Sequence, residues 1–224
     1  MIADYELKNI DSEDLEELLK KVEASFDIKF GAAELANIST FGQLCNHISN
    51  KIHLVDCDDC TSQQAFYKLR DSISSSFHID KRSISIDTSL ATILPRQGRR
   101  LLTKQLENHL GFRLNILRPQ HWIIITFVIF FLSSLLALSF NWQIGLLGVV
   151  LSISGLRLAF KMGNELDLKT VGQVAEKMTR ENYLRSRRNP KSFNKNEIEN
   201  VMTDLFRSNL YIDMNDLTKD PKYV

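Results

Sequence analysis

The chain lacks an excess of charge of either sign. It has 28 Lys and Arg against 27 Asp and Glu, a formal net charge of +1. That argues against a nucleic-acid protein, whose surface is usually strongly basic. Cysteine is scarce, with three in 224 residues. An odd, sparse set reads as reduced thiols and excludes a disulfide framework. There is no Gly-rich phosphate loop, no nucleophile elbow and no metalloprotease helix, so the usual signatures of nucleotide binding, serine hydrolysis and zinc proteolysis are missing. The length suits one or two small domains.

The sharpest local shortage is of charge between residues 122 and 160. "WIIITFVIFFLSSLLALSF" (122–140) has none, and "WQIGLLGVVLSISGLRLAF" (142–160) has only Arg157, near its end. Each is about as long as the ~20 residues a helix needs to cross a bilayer. Both lie mid-chain, so neither is a signal peptide. Only Asn141 separates them, which predicts a hairpin with both ends on the same side. Trp122 and Trp142 suit the membrane interface, and Arg157 can snorkel from the last turn. A buried hairpin of a soluble protein is the alternative, but so small a chain has little except lipid to cover two such runs. Arg113 and Arg118 precede the hairpin; Lys161, Lys169, Arg180, Arg185, Arg187 and Arg188 follow it. The positive-inside rule then places both flanks in the cytoplasm, as expected of a two-span protein of a bacterial inner membrane.

What is present, beyond the hairpin, is repetition. "TFGQLCNHI" (40–48) matches "TVGQVAEKM" (170–178): each Thr can cap a helix with the Gln three residues on as its capping-box partner. "VEASFDIKF" (22–30) matches "LENHLGFRL" (106–114), with apolar residues at the first, fifth, seventh and ninth positions and Glu at the second. "FHIDKRSISID" (77–87) matches "LYIDMNDLTKD" (210–220), and an amphipathic helix precedes each. The first of those helices carries Phe66, Leu69, Ile73 and Phe77; the second carries Ile198, Val201, Met202, Leu205 and Phe206. Three elements occurring twice make two units. One unit is complete, with the hairpin inserted. The other is split, its opening helix at the end of the chain and the rest at the beginning.

The N-terminal part of the split unit is "DSEDLEELLKKVEASFDIKFGAAELANISTFGQLCNHI" (11–48). Leu15, Leu18, Leu19, Val22 and Phe26 form a helical stripe behind Asp11-Ser12, either of which can cap it. This segment resembles the acyl carrier protein family from its modification site to its final helix. The family's signature is Asp-Ser-Leu at the head of an acidic helix, and Asp11-Ser12 falls where Asp-Ser lies. Glu13 stands where the family has Leu or Met, and no Gly precedes Asp11. The resemblance implies that Ser12 carries a 4′-phosphopantetheine arm whose thiol holds acyl groups as thioesters. It also implies that Glu13, Asp14, Glu16 and Glu17 steer the basic docking surfaces of acyl-transferring or acyl-processing enzymes. The acids have a plainer role too, since carboxylates in a first turn stabilise any helix.

In the complete unit, counting back from Leu106 as from Val22 puts the serine position on Arg96, which has no hydroxyl to take an arm. Arg96, Arg99 and Arg100 form a basic cluster. It reads as a solvated face, as a surface for the acidic helix or for acidic carriers, or as a contact for anionic lipid head groups. "RENYLRSRR" (180–188) reads as a solvated linker or a lipid contact. Cys57-Asp-Asp-Cys60, with Cys45, His47 and His53, offers zinc ligands, but a single CxxC is weak grounds for a metal site. Asp80 and Asp87 read as caps or turn residues, like their counterparts Asp213 and Asp220.

The expected fold is all-α. Two carrier-like helical bundles are predicted, one over 1–55 completed by 194–224 and permuted across the termini. The other spans 63–118 plus 165–180, with the transmembrane hairpin at 121–161 inserted in it. The expected function is not catalysis but presentation of an acyl or related thioester at the membrane. A scaffold that keeps the fold without the arm, and a subunit of a membrane complex whose hairpin does the recognising, are the rivals. The bilayer is an expected partner, nucleic acid is not, and exchange of the C-terminal helix between chains would give an oligomer.

Overall fold

The computed structural model describes residues 5–31, 33–189 and 191–210. It is mostly helical. In chain order the elements are α1 (Ser12–Phe26), α2 (Phe41–Lys51), β1 (Val55–Asp56), α3 (Thr61–Phe77), α4 (Leu90–Ile93), α5 (Arg99–Leu110) and β2 (Leu117–Arg118). Then come α6 (His121–Leu138), α7 (Trp142–Lys161), β3 (Glu165–Leu166), α8 (Val171–Glu181), α9 (Tyr183–Ser186), β4 (Ser192–Phe193) and α10 (Ile198–Leu210). Residues 211–220 of the third repeat match, with Asp213 and Asp220, lie outside the described residues.

Short polar side chains set several of the helix starts. Asp11, not Ser12, caps α1: its carboxylate accepts from the Glu13 N–H at 2.9 Å, and Ser12 becomes the first helical residue. Thr40 and Gln43 form a full capping box at α2. At α8, Thr170 accepts from the Gln173 N–H, but the Gln173 side chain turns back one residue farther, to the Lys169 N–H (2.7 Å). Asp80 caps a 3₁₀ turn by accepting from Arg82 N–H at 2.9 Å.

Apolar faces gather these helices around two separate cores. The first joins Leu18, Val22 and Phe26 of α1 and Phe41, Leu44 and Ile48 of α2 to Met202, Leu205 and Phe206 of α10. Residues at opposite ends of the chain thus share one interior, and Phe41 meets Phe206 edge-on at 4.9 Å. The second core joins α3, α4 and α5 to α8, on either side of the hairpin in sequence. The repeated motifs also repeat their bonds. Glu23 accepts from the Phe30 N–H (2.6 Å) and Glu107 from the Leu114 N–H (2.7 Å). Each follows a helix end closed by a left-handed residue, Asp27 (φ 49°) and Gly111 (φ 82°). Ala65, Leu69 and Ile73 in α3 are buried at the same spacing as Ile198, Met202 and Phe206 in α10.

The joint between the two cores differs from a solvated linker. Residues 180–188 bury Tyr183 in the first core and leave Arg187 only 1% exposed. Tyr183 hydroxyl sits within 3.2 Å of Glu197 Oε2, while Glu197 Oε1 accepts from Thr61 N–H at the head of α3 (3.0 Å). Arg187 donates to Thr61 Oγ1 and, at 3.0 Å, to Cys57 Sγ. The charge run concealed an apolar anchor and a buried donor. Four two-residue strands, which helical periodicity does not anticipate, staple flanking segments: β1 pairs in parallel with β4, and β2 antiparallel with β3. Gly163 permits the second pairing, since a Cβ there would lie 2.5 Å from the Arg118 carbonyl carbon.

The hairpin helices α6 and α7 are each long and apolar enough to cross a membrane. Protein covers little of them: Leu136 is 70% exposed, and Leu132 and Leu147 are exposed with it. They touch each other through small residues. Gly145, Gly148 and Ser152 are buried on α7, and a Cβ on Gly148 would come within 2.3 Å of Ser134 Oγ. The turn is longer than one residue, because α6 ends at Leu138 and Asn141 caps α7 by accepting from Gln143 and Ile144 N–H.

Candidate functional site

Ser12 occupies the first position of α1 and is exposed. Its hydroxyl makes no hydrogen bond among the described residues, because Asp11 has already taken the capping role. The free N–H groups of a first turn and the helix dipole favour an anionic substituent at this position. Ser12 also lines an apolar cleft of about 540 Å³. Leu15 and Leu19 come from α1, Leu35 and Ile38 from the loop after it, and Leu44 from α2. That volume lies in the range of small-molecule pockets.

The loop wall is fastened by one carboxylate. Glu34 accepts from the Gly31 N–H (2.6 Å), from His47 Nε2 (2.7 Å) if that nitrogen bears the proton, and from the Lys51 ammonium. The Gly31 N–H first, then Lys51 and His47, hold its carboxyl down to about 2. Leu35 and Ile38 follow directly, so this clip places two apolar residues opposite α1. Sequence reasoning missed both. The signal available was two apolar residues three apart in an otherwise small and polar stretch, too short for a periodicity.

Glu13, Asp14, Glu16 and Glu17 are all exposed on α1. Glu16 pairs with Lys20 and Glu17 with Lys21, both at 2.7 Å, and hydrogen bonds from those lysines hold the two carboxyls below their ordinary value. Glu13 and Asp14 have no ion pair among the described residues, so the uncompensated negative charge sits beside Ser12.

The second core has a different helix head. Arg96 precedes α5 and pairs with Glu165 at 3.0 Å; the helix itself begins at Arg99, after Gly98 in a left-handed conformation (φ 76°). The count that matched Arg96 to Ser12 therefore lands outside the helix, because α5 is three residues shorter than α1 at 12 against 15. Arg99 is buried and donates to Leu94 O (2.8 Å) and Asn164 O (2.7 Å). The basic cluster is tied to the residues around α7 and not to the acids of α1.

The suggested zinc ligands are not brought together. His47 contacts Glu34, Cys57 accepts from Arg187, and Cys45 lies in the first core, where burial pushes its thiol up to about 12. Among the described residues no group of three His, Cys, Asp or Glu side chains is placed to hold a metal. Comparisons with family models, with curated proteins and with solved structures returned no match.

Proposed function

We propose that this chain is a membrane-anchored acyl-carrier-like protein of a bacterial inner membrane, which presents an acyl or related thioester to membrane enzymes. In this reading the two cores are two carrier-like bundles, the first closed across the termini by α10, and both face the cytoplasm. One observation carries it: a serine hydroxyl with no hydrogen bond among the described residues, at the head of an exposed acidic helix and on the lining of an apolar cleft.

The residues present fit a 4′-phosphopantetheine arm. Ser12 is the attachment point and the N-terminus of α1 accommodates the phosphodiester charge. When bound, the arm supplies a thiol that holds the acyl group as a thioester. The cleft under Leu15, Leu19, Leu35 and Ile38 offers an apolar chain shelter from water. Glu13 and Asp14 provide a negative field for basic partner surfaces. The protein itself moves no proton and breaks no bond; attachment belongs to a separate transferase.

Intact-mass measurement after co-expression with a broad phosphopantetheinyl transferase tests this. A gain equal to one arm is expected. A chain that never gains it fails as a carrier. The second reading is then a scaffold that retains the fold without the arm, and Arg99 favours it for the second core, where a buried guanidinium replaces any hydroxyl at the helix head.

A further inference from the structure

Four cations lie on α5 and α7, two helices that meet where the hairpin leaves its apolar stretch. Arg157 and Lys161 stand one turn apart on α7, and Arg100 and Lys104 one turn apart on α5. All four are exposed. Arg100 Nη2 donates to the Lys161 carbonyl at 3.1 Å, which fixes the head of α5 against the end of α7. None of the four has a carboxylate partner among the described residues. The nearby acids are engaged: Glu165 with Arg96, Asp167 with Arg118, and Glu107 with the Leu114 N–H.

Two large exposed apolar side chains adjoin these cations in the chain. Leu101, the neighbour of Arg100, is 72% exposed, and Met162, the neighbour of Lys161, is 56% exposed. A soluble surface gains nothing from this mixture. A bilayer surface does, because headgroup phosphates neutralise the cations while the apolar side chains reach the acyl boundary.

We propose that Arg100, Lys104, Arg157 and Lys161 form a docking face for the phosphates of anionic membrane lipids, with Leu101 and Met162 entering the headgroup layer. The proposal rests on the membrane-anchored reading above and adds a lipid class and a face. Continuity with the hairpin selects lipid over a soluble acidic protein, since Arg157 and Lys161 belong to the spanning helix itself. The face presses the second core onto the bilayer.

The test uses the full chain in vesicles. Trp122→Phe and Trp142→Phe remove the native fluorescence, and Leu101→Trp, at an exposed position, supplies a reporter. Phosphatidylglycerol or phosphatidylcholine brominated on its acyl chains quenches a tryptophan lying against it. At equal mole fraction, brominated phosphatidylglycerol is expected to quench roughly fivefold more effectively than brominated phosphatidylcholine. Arg100→Gln, Lys104→Gln and Lys161→Gln together should abolish the difference. Equal quenching by the two lipids overturns the proposal, as does a preference that survives the triple substitution. A reporter silent to both lipids, in a chain that resists alkaline carbonate extraction, overturns this face alone. A response of that reporter to a soluble acidic carrier protein would then assign the face to a protein partner. A chain released by carbonate overturns the membrane-anchored reading as well.

Discussion

Ser12 is useful experimentally because it does so little for the fold. It is exposed, and its capping role is filled by Asp11. Ser12→Ala is therefore expected to leave the melting temperature nearly unchanged, within the roughly 0.5 kcal/mol typical of surface substitutions, while removing any phosphopantetheine mass. Mass spectrometry and thermal unfolding on the same sample separate lost attachment from lost structure. A mass gain that persists in the variant would move the attachment site elsewhere. Phe206 is the opposite case. It is fully buried and meets Phe41 edge-on, so Phe206→Ala should cost about 3–5 kcal/mol, the usual range for a deleted core aromatic. Chemical denaturation read at the first core measures it. A cost near zero would mean that α10 contributes little to that interior.

Among the elements, the loop between α1 and α2 makes the clearest pH prediction. The Glu34 carboxyl lies at about 2 in the folded protein against an ordinary 4.5, a depressed value. Its stabilising contribution is thus fully present above about pH 4.5 and is lost as pH falls toward 2. Amide exchange at Gly31, corrected for intrinsic rates, should accelerate across that window while amides inside α1 remain protected. Glu34→Gln should show the faster exchange already at neutral pH. An unchanged exchange rate at Gly31 in that variant would remove the clip as the organiser of the cleft wall. Loops are where sequence patterns fail, since an isolated carboxylate has no period and its partners lie 3 to 17 residues away.

At the scale of the molecule, closure of the first core by α10 makes a long-range prediction. Deleting residues after Phe193 removes Ile198, Met202 and Phe206 from the interior that holds Val22 and Phe41. Amide exchange over residues 12–50 should rise toward the unfolded rate, while the second core, built from α3, α4, α5 and α8, keeps its protection. Unchanged protection over 12–50 would show that the N-terminal segment folds without its distant partner. The cytoplasmic orientation is tested by labelling Ser62→Cys from outside in a chain where Cys57 and Cys60 are serine. Cys45 can stay, since burial leaves its thiol largely unreactive. No labelling of Ser62→Cys in intact cells is expected, against strong labelling at a cysteine placed in the Asn141 turn. The reverse pattern would invert the topology.

The sequence by itself determined the local features. Caps at Thr40 and Thr170 act within four residues, the apolar stripes of α1, α3 and α10 follow helical periodicity, and two apolar runs near twenty residues long, with only Arg157 charged between them, are each long enough to cross a membrane. Each depends only on near neighbours in the chain. Tertiary structure decided what has no local code. It turned Tyr183 and Arg187 inward from a run that looked solvated, because Glu197, Thr61 and Cys57 arrive from other segments to meet them. It started α5 three residues later than the matched spacing predicts, because Arg99 finds the carbonyls of Leu94 and Asn164. It also placed Leu35 and Ile38 across from Leu15 and Leu19, beside Ser12. A buried charge or a cleft wall is stable only when partners distant in sequence supply the bonds and contacts, and no window along the chain contains them.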